Sequence, residues 1–87
     1  MRKIYQSILK RCFYHSLIRA RAELGMTQAQ MAERLAMDER SYVDLDHGKT
    51  CCSATTLALF LVYVCEDTCG FLDELRRAFD AGSGQAA

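Results

Sequence analysis

Apolar side chains in the first part of the chain fall at Ile4, Ile8, Leu9, Phe13, Leu17, Ala20 and Leu24. Steps of four, one, four, four, three and four keep these positions on one stripe of an α-helix. One helix over residues 3–24 satisfies the pattern, and so do two helices with a break near Cys12–Ser16. Gly25 follows as a residue that can take positive φ and end the segment. Thr27 and Gln30 then have the spacing of a capping box, in which each side chain satisfies a free backbone N–H of the other. The helix they open runs to about Leu35, with Ala29, Met31, Ala32 and Leu35 on its apolar side. Ala36 and Met37 make a turn, and Asp38 is an N-cap for a short helix from Glu39 to Asp46. Tyr42 and Leu45 point inward from that helix, Glu39, Arg40 and Asp44 point outward, and Gly48 stops it.

Ser53 caps a further segment, Ala54 to Cys65, that is apolar on nearly all sides. A helix of that kind is expected in the middle of a bundle. Phe60, Val62 and Tyr63 also suit a strand, but the run exceeds usual strand length and its neighbours are helical. Asp67 or Thr68 starts a last helix with Phe71, Leu72, Leu75, Ala78 and Phe79 along one face and Asp73, Glu74, Arg76 and Arg77 outside. Residues 81–87, AGSGQAA, have the composition of a flexible tail. The chain has no proline and only five glycines, placed mostly between periodic segments, so the expected fold class is all-α.

Composition narrows the picture further. A chain of 87 residues with 51% hydrophobic and 25% charged residues suits one small globular domain. The formal net charge is zero, but the charge is not evenly spread. Residues 1–26 hold six basic groups against Glu23, residues 27–50 carry a net −2, and residues 51–87 a net −3. Such polarity steers a polyanion to one side of a molecule. The longest apolar run, Leu57 to Cys65, is far short of the roughly 20 residues of a membrane span, and no export signal is visible, so a cytoplasmic location without membrane contact is expected. Five cysteines, an odd number, fit reduced thiols. Cys51-Cys52, Cys65-x-x-x-Cys69, Cys12, His15 and His47 lack the paired knuckles of a structural zinc site. No catalytic triad spacing and no phosphate-binding glycine loop occur. Neither a cofactor nor an enzymatic activity is expected.

The pattern R-x-x-L-G-x-T-Q-x-x-x-A-x-x-L, carried by Arg21, Leu24, Gly25, Thr27, Gln28, Ala32 and Leu35, resembles the Cro-like (XRE, lambda-repressor-like) helix-turn-helix family. The resemblance continues as D-x-G-K at Asp46, Gly48 and Lys49, where the family usually has Glu in the first place. It covers about residues 13–80, with residues 1–12 as an amino-terminal helical extension and 81–87 as the tail. It implies a compact five-helix bundle and a transcriptional regulator that binds double-stranded DNA as a homodimer. By the same resemblance Glu39, Arg40 and Asp44 face bases in the major groove, while Gln28, His47, Lys49 and Thr50 lie near phosphates. Gln28 would also brace Arg40 or Glu39. Arg21 is expected to pair with Asp46, at longer range or through water because Asp is one methylene shorter than Glu.

Side-chain chemistry refines that expectation. Arg40 can donate twice to guanine O6 and N7, and Glu39 can accept from cytosine N4. Asp44 is repelled by phosphate unless it pairs with Arg40, four residues away, or meets a cytosine amino group. The helix is thus suited to selective reading and poorly suited to nonspecific grip. Phosphate neutralisation would fall to Lys49, Arg19, Arg11, Lys10 and the basic amino end. The last helix, or Ile4, Tyr5, Ile8 and Leu9, would supply a dimer surface, with ordinary core packing as the alternative for the last helix. A different class of function also fits an acidic outer helix: a protein-interaction module, antirepressor- or antitoxin-like, that binds another regulatory protein.

Overall fold

In a computed structural model, which describes residues 2–82, the chain is all-α with five helices. These are α1 (Arg2–Leu24), α2 (Gln28–Arg34), α3 (Glu39–Asp46), α4 (Ala54–Tyr63) and α5 (Thr68–Gly82). Among the described residues there is no strand, and no helix is long and apolar enough to cross a membrane.

Helix α1 is continuous through Cys12–Ser16, so the amino-terminal extension and the first helix are one rod of 23 residues. At 1.5 Å per residue it spans about 34 Å. It buries Ile8, Phe13, Leu17 and Ala20. Helix α5 packs antiparallel along it: Tyr5 meets Phe79 edge to face at 5.0 Å, and Arg19 pairs with Glu74 towards the other end. Helix α5 continues through Gly82, so residues 81–82 extend it, and residues 83–87 of the expected tail lie outside the described residues.

The centre of the core is a row of three aromatic rings from three helices. Phe13 of α1 meets Phe60 of α4 at 5.0 Å and 67°, and Phe60 meets Phe71 of α5 at 5.9 Å and 63°. Edge-to-face contacts of this kind add to the burial of large apolar surface. Met31, Ala32, Leu35, Tyr42 and Leu45 bring α2 and α3 onto the same core. Ala32 is 2% exposed, as a close helix crossing demands. Ala29, expected on the apolar side of α2, is exposed.

Local sequence accounts for most helix ends. The Thr27 hydroxyl accepts from the Gln30 backbone N–H at 3.2 Å, and the Gln30 side chain accepts from the Thr27 N–H at 2.9 Å. Asp38, Ser53 and Asp67 each accept from the backbone N–H three residues on. Gly25 and Gly48 take φ of 64° and 71°. At Gly48 a Cβ would also press on the Tyr14 ring, at 3.3 Å, so the chain after α3 lies directly against α1.

Helix α4 does not lie in the middle of the bundle. Phe60 and the C-cap Val64 are buried, but Ala54, Ala58, Val62 and Tyr63 are exposed. Among the described residues the core covers Phe60, Val64 and, in part, Leu57, Leu59 and Leu61, and leaves the side with Ala54, Ala58 and Val62 exposed.

One turn carries strain. Ala36, between α2 and α3, has φ of 55°, a left-handed conformation that costs an L-residue with a Cβ roughly 1–2 kcal/mol. Replacing Ala36 by Gly relieves this and loses some of the gain to unfolded-chain entropy. Ala36→Gly is therefore expected to stabilise the protein by up to about 1 kcal/mol, read as a higher urea midpoint at unchanged m-value.

Candidate functional site

The most constrained polar group in the molecule is the carboxylate of Asp46, the last residue of α3, which is 4% exposed. Four donors converge on it. Arg21 of α1 gives Nε to Oδ1 at 3.2 Å and Nη2 to Oδ2 at 3.4 Å. The Tyr42 hydroxyl, one turn back on α3, donates to Oδ1 at 3.2 Å. Gln28, at the start of α2, gives Nε2 to Oδ2 at 2.9 Å. An ionised carboxylate has about four acceptor sites, and all are used. No buried side-chain N or O among the described residues lacks a partner.

The Arg21 contact is direct rather than water-bridged, though at the long end for a charge-assisted bond. Gln28 commits its amide N–H to Asp46 and not to Arg40 or Glu39. The phenol of Tyr42 is pushed well above its usual range, first by burial and then by the adjacent Asp46 charge, with Arg21 opposing. Tyr42 could be found from sequence as a member of this cluster, since it sits four residues before Asp46 on one helix face. The link to Gln28 joins residues 18 apart and has no local signature.

Around this anchored end the rest of the site is open. Glu39 and Arg40 in the first turn of α3 are exposed, as are His47, Lys49 and Thr50 after its end. Asp44 is half-buried and borders a shallow hollow with Ser41 and Thr50. Among the described residues no ion pair joins Arg40 to Asp44. Asp38 sets the start of the helix: its carboxylate accepts from the Ser41 N–H at 3.0 Å and from the Ser41 hydroxyl at 2.8 Å. These bonds hold its carboxyl below the ordinary range, the backbone N–H foremost. The loop after α3 is closed by Lys49 N–H donating to the Asp44 carbonyl at 2.9 Å and Gly48 N–H to that of Leu45 at 3.0 Å.

Helix α1 runs beside this loop. Tyr14 packs under Gly48, and Arg21, two turns on along the same stripe, meets Asp46. In the other direction the stripe continues through Lys10, Ser7 and Lys3 at steps of four, three and four. The extension therefore carries Lys10 and Lys3 along the side of α1 that abuts the α3 loop.

Other features lie away from this surface. A cleft of about 460 Å³ between α1, the end of α4 and the start of α5 is bordered by Arg19, Glu23, Glu66 and Glu74. Its Arg19–Glu74 pair, 3.8 Å apart, is mostly exposed and contributes little. All five cysteines are free. Cys52 has its thiol pushed up to about 12, chiefly by burial and then by Cys51, which makes it a poor nucleophile. Among the described residues no three His, Cys, Asp or Glu side chains are grouped to hold a metal ion.

Removing the Asp46 carboxylate strands four donor groups on three residues. Asp46→Ala is expected to destabilise by about 3 kcal/mol, at the low end for a broken buried pair because Arg21 keeps partial access to water, as measured by urea denaturation. Tyr42 gives a pH dependence. Its folded phenol ionises at higher pH than the unfolded one, whose value is 10.0. The stabilisation is complete below about pH 10 and declines as pH rises past it, because the unfolded chain then loses a proton that the folded one keeps. Unfolding free energy measured from pH 8 to pH 11 is expected to fall less steeply above pH 10 in Tyr42→Phe than in the parent. In comparisons with protein-family models, curated proteins and solved structures, nothing matches this chain.

Proposed function

We propose that the protein is a DNA-binding transcriptional regulator of the Cro-like type, in which α2 and α3 form the helix-turn-helix and α3 enters the major groove. The observation that carries this is the asymmetry of α3. Its carboxyl end is fixed to α1 and α2 through Asp46, while Arg40 and Glu39 at its amino end stand free in solvent. Helices that read bases present their early residues to the groove in this manner. Arg40 donates to guanine and Glu39 accepts from cytosine. Lys49, His47 and Thr50 flank the helix end, and Lys10 and Lys3 extend the cationic strip along α1. These lysines supply the phosphate neutralisation that α3 itself lacks. One domain reads one half-site, so a homodimer is the binding unit.

The acidic surface of α3, with Asp38, Glu39 and Asp44 against Arg40, favours a second function: docking of a basic protein partner, as in an antirepressor- or antitoxin-like module. Salt and sequence dependence separate the two. Selection from random duplexes at low salt is expected to return a preferred sequence. Arg40→Ala is expected to lose about 1–3 kcal/mol on that sequence and little on others. Lys49→Ala is expected to weaken all sequences alike and to reduce the salt slope by about 1. Absence of duplex binding over background at low salt would leave the protein-docking function.

A further inference from the structure

The loop between α3 and α4 carries two adjacent cysteines that the DNA-reading surface does not use. Cys51 is exposed, and Cys52 is half-buried against the core. Adjacent Cα atoms are about 3.8 Å apart, and here the side chains also turn towards each other: the Cys52 thiol is in hydrogen-bonding contact with the Cys51 side chain. Both line one hollow of about 220 Å³, together with Met37, Asp44 and Leu45. Ser53, next in the chain, caps α4 and fixes the backbone beyond the pair.

We propose that Cys51 and Cys52 form a two-sulfur site for trivalent arsenic, taken up as arsenite or as an organoarsenical. Thiolates select soft ions, and the number and arrangement of the sulfurs narrow the choice. Among the described residues no third Cys, His, Asp or Glu completes a group to hold a metal ion, and two ligands are too few for zinc. A soft ion bound linearly by two sulfurs, such as monovalent copper, needs them on opposite sides of it. Side chains in contact with each other do not stand so. Pyramidal trivalent arsenic takes two sulfurs on one side and keeps its third bond for a hydroxyl or an organic group, for which the hollow has room.

The exchange balances without an oxidant. Exposed Cys51 bonds first: its sulfur attaches to arsenic, an As–OH bond breaks, and the thiol proton leaves with the hydroxide as water. Cys52 repeats the exchange, closes the ring and releases a second water. Arsenic stays trivalent throughout. Because the second bond forms within one molecule, the pair holds far more tightly than a single thiol. The site goes beyond the DNA-reading function and does not depend on it, although it follows Lys49 and Thr50 directly in the chain.

Phenylarsine oxide titrated into the reduced protein tests this, followed by intact mass and by competition with small thiols. One phenylarsenic unit per chain is expected, in place of two thiol hydrogens. The adduct is expected to survive excess 2-mercaptoethanol and to be removed by 2,3-dimercaptopropanol. Cys51→Ser and, separately, Cys52→Ala are expected to weaken binding about 100-fold or more. Helicity by circular dichroism is expected to stay unchanged in Cys51→Ser, whose side chain is exposed. Cys69→Ser, which removes one member of the other closely spaced pair, Cys65 and Cys69, is expected to leave binding intact. A parent protein that binds no more tightly than Cys51→Ser overturns the proposal. So does an adduct that persists in both single variants or is lost in Cys69→Ser.

Discussion

A single buried carboxylate holds the first three helices in register. Asp46 belongs to α3, but its four hydrogen bonds come from α1, α2 and α3 itself. Burying a charge is costly unless it is paired and fully hydrogen-bonded, and here the pairing spans the elements whose relative placement matters. A shift of α3 against α1 or α2 lengthens these bonds, two of which, from Arg21 at 3.4 Å and Tyr42 at 3.2 Å, are already long. The penalty for misplacement, more than the net worth of the pair, gives the cluster its structural value. Tyr14 under Gly48 adds a steric stop at the same end of α3.

The consequence is a division of labour along eight residues. The carboxyl end of α3 is spent on the fold, and the amino end is left to solvent. Tyr42 and Leu45 are buried, whereas Glu39, Arg40 and Ser41 are exposed. Asp38 stiffens the free end by capping it. The recognition proposed for α3 needs this combination, because side chains on a wandering helix lose binding free energy to ordering. The cationic strip along α1 is held in place by the same contacts, since the stripe that carries Lys10 and Lys3 also carries Tyr14 and Arg21.

What was legible in the sequence was local. The caps at Thr27, Asp38 and Ser53 and the stop at Gly48 rest on residues within three or four positions of one another, and they stand where the pattern puts them. The all-α class follows from the same signals. The continuity of α1 was undetermined because its stripe reads alike for one helix or two. Ala36 gave no sign of its left-handed turn, since alanine has no signature for it. Most tertiary choices were hidden; the Arg21–Asp46 pair, 25 residues apart, was expected only through the family resemblance. The Gln28 amide on Asp46 is a contact across 18 residues. Helix α4 misled for a related reason: a helix apolar on every side reads the same whether the rest of the chain encloses all of it or only one side. At the candidate site, sequence could name outward positions on α3, but not that Asp44 is half-buried and without an ion pair to Arg40.

The central claim is that the anchored α3 presents its free end, with the adjacent side of α1, to duplex DNA. Amide chemical-shift mapping tests this most directly, with labelled protein titrated by a mixed-sequence duplex at low salt. The claim predicts perturbations concentrated at residues 38–50 and at Lys3, Ser7 and Lys10, with the Glu23, Glu66 and Glu74 cleft unmoved. A titration that leaves residues 38–50 in place, or that moves the acidic cleft instead, would contradict it.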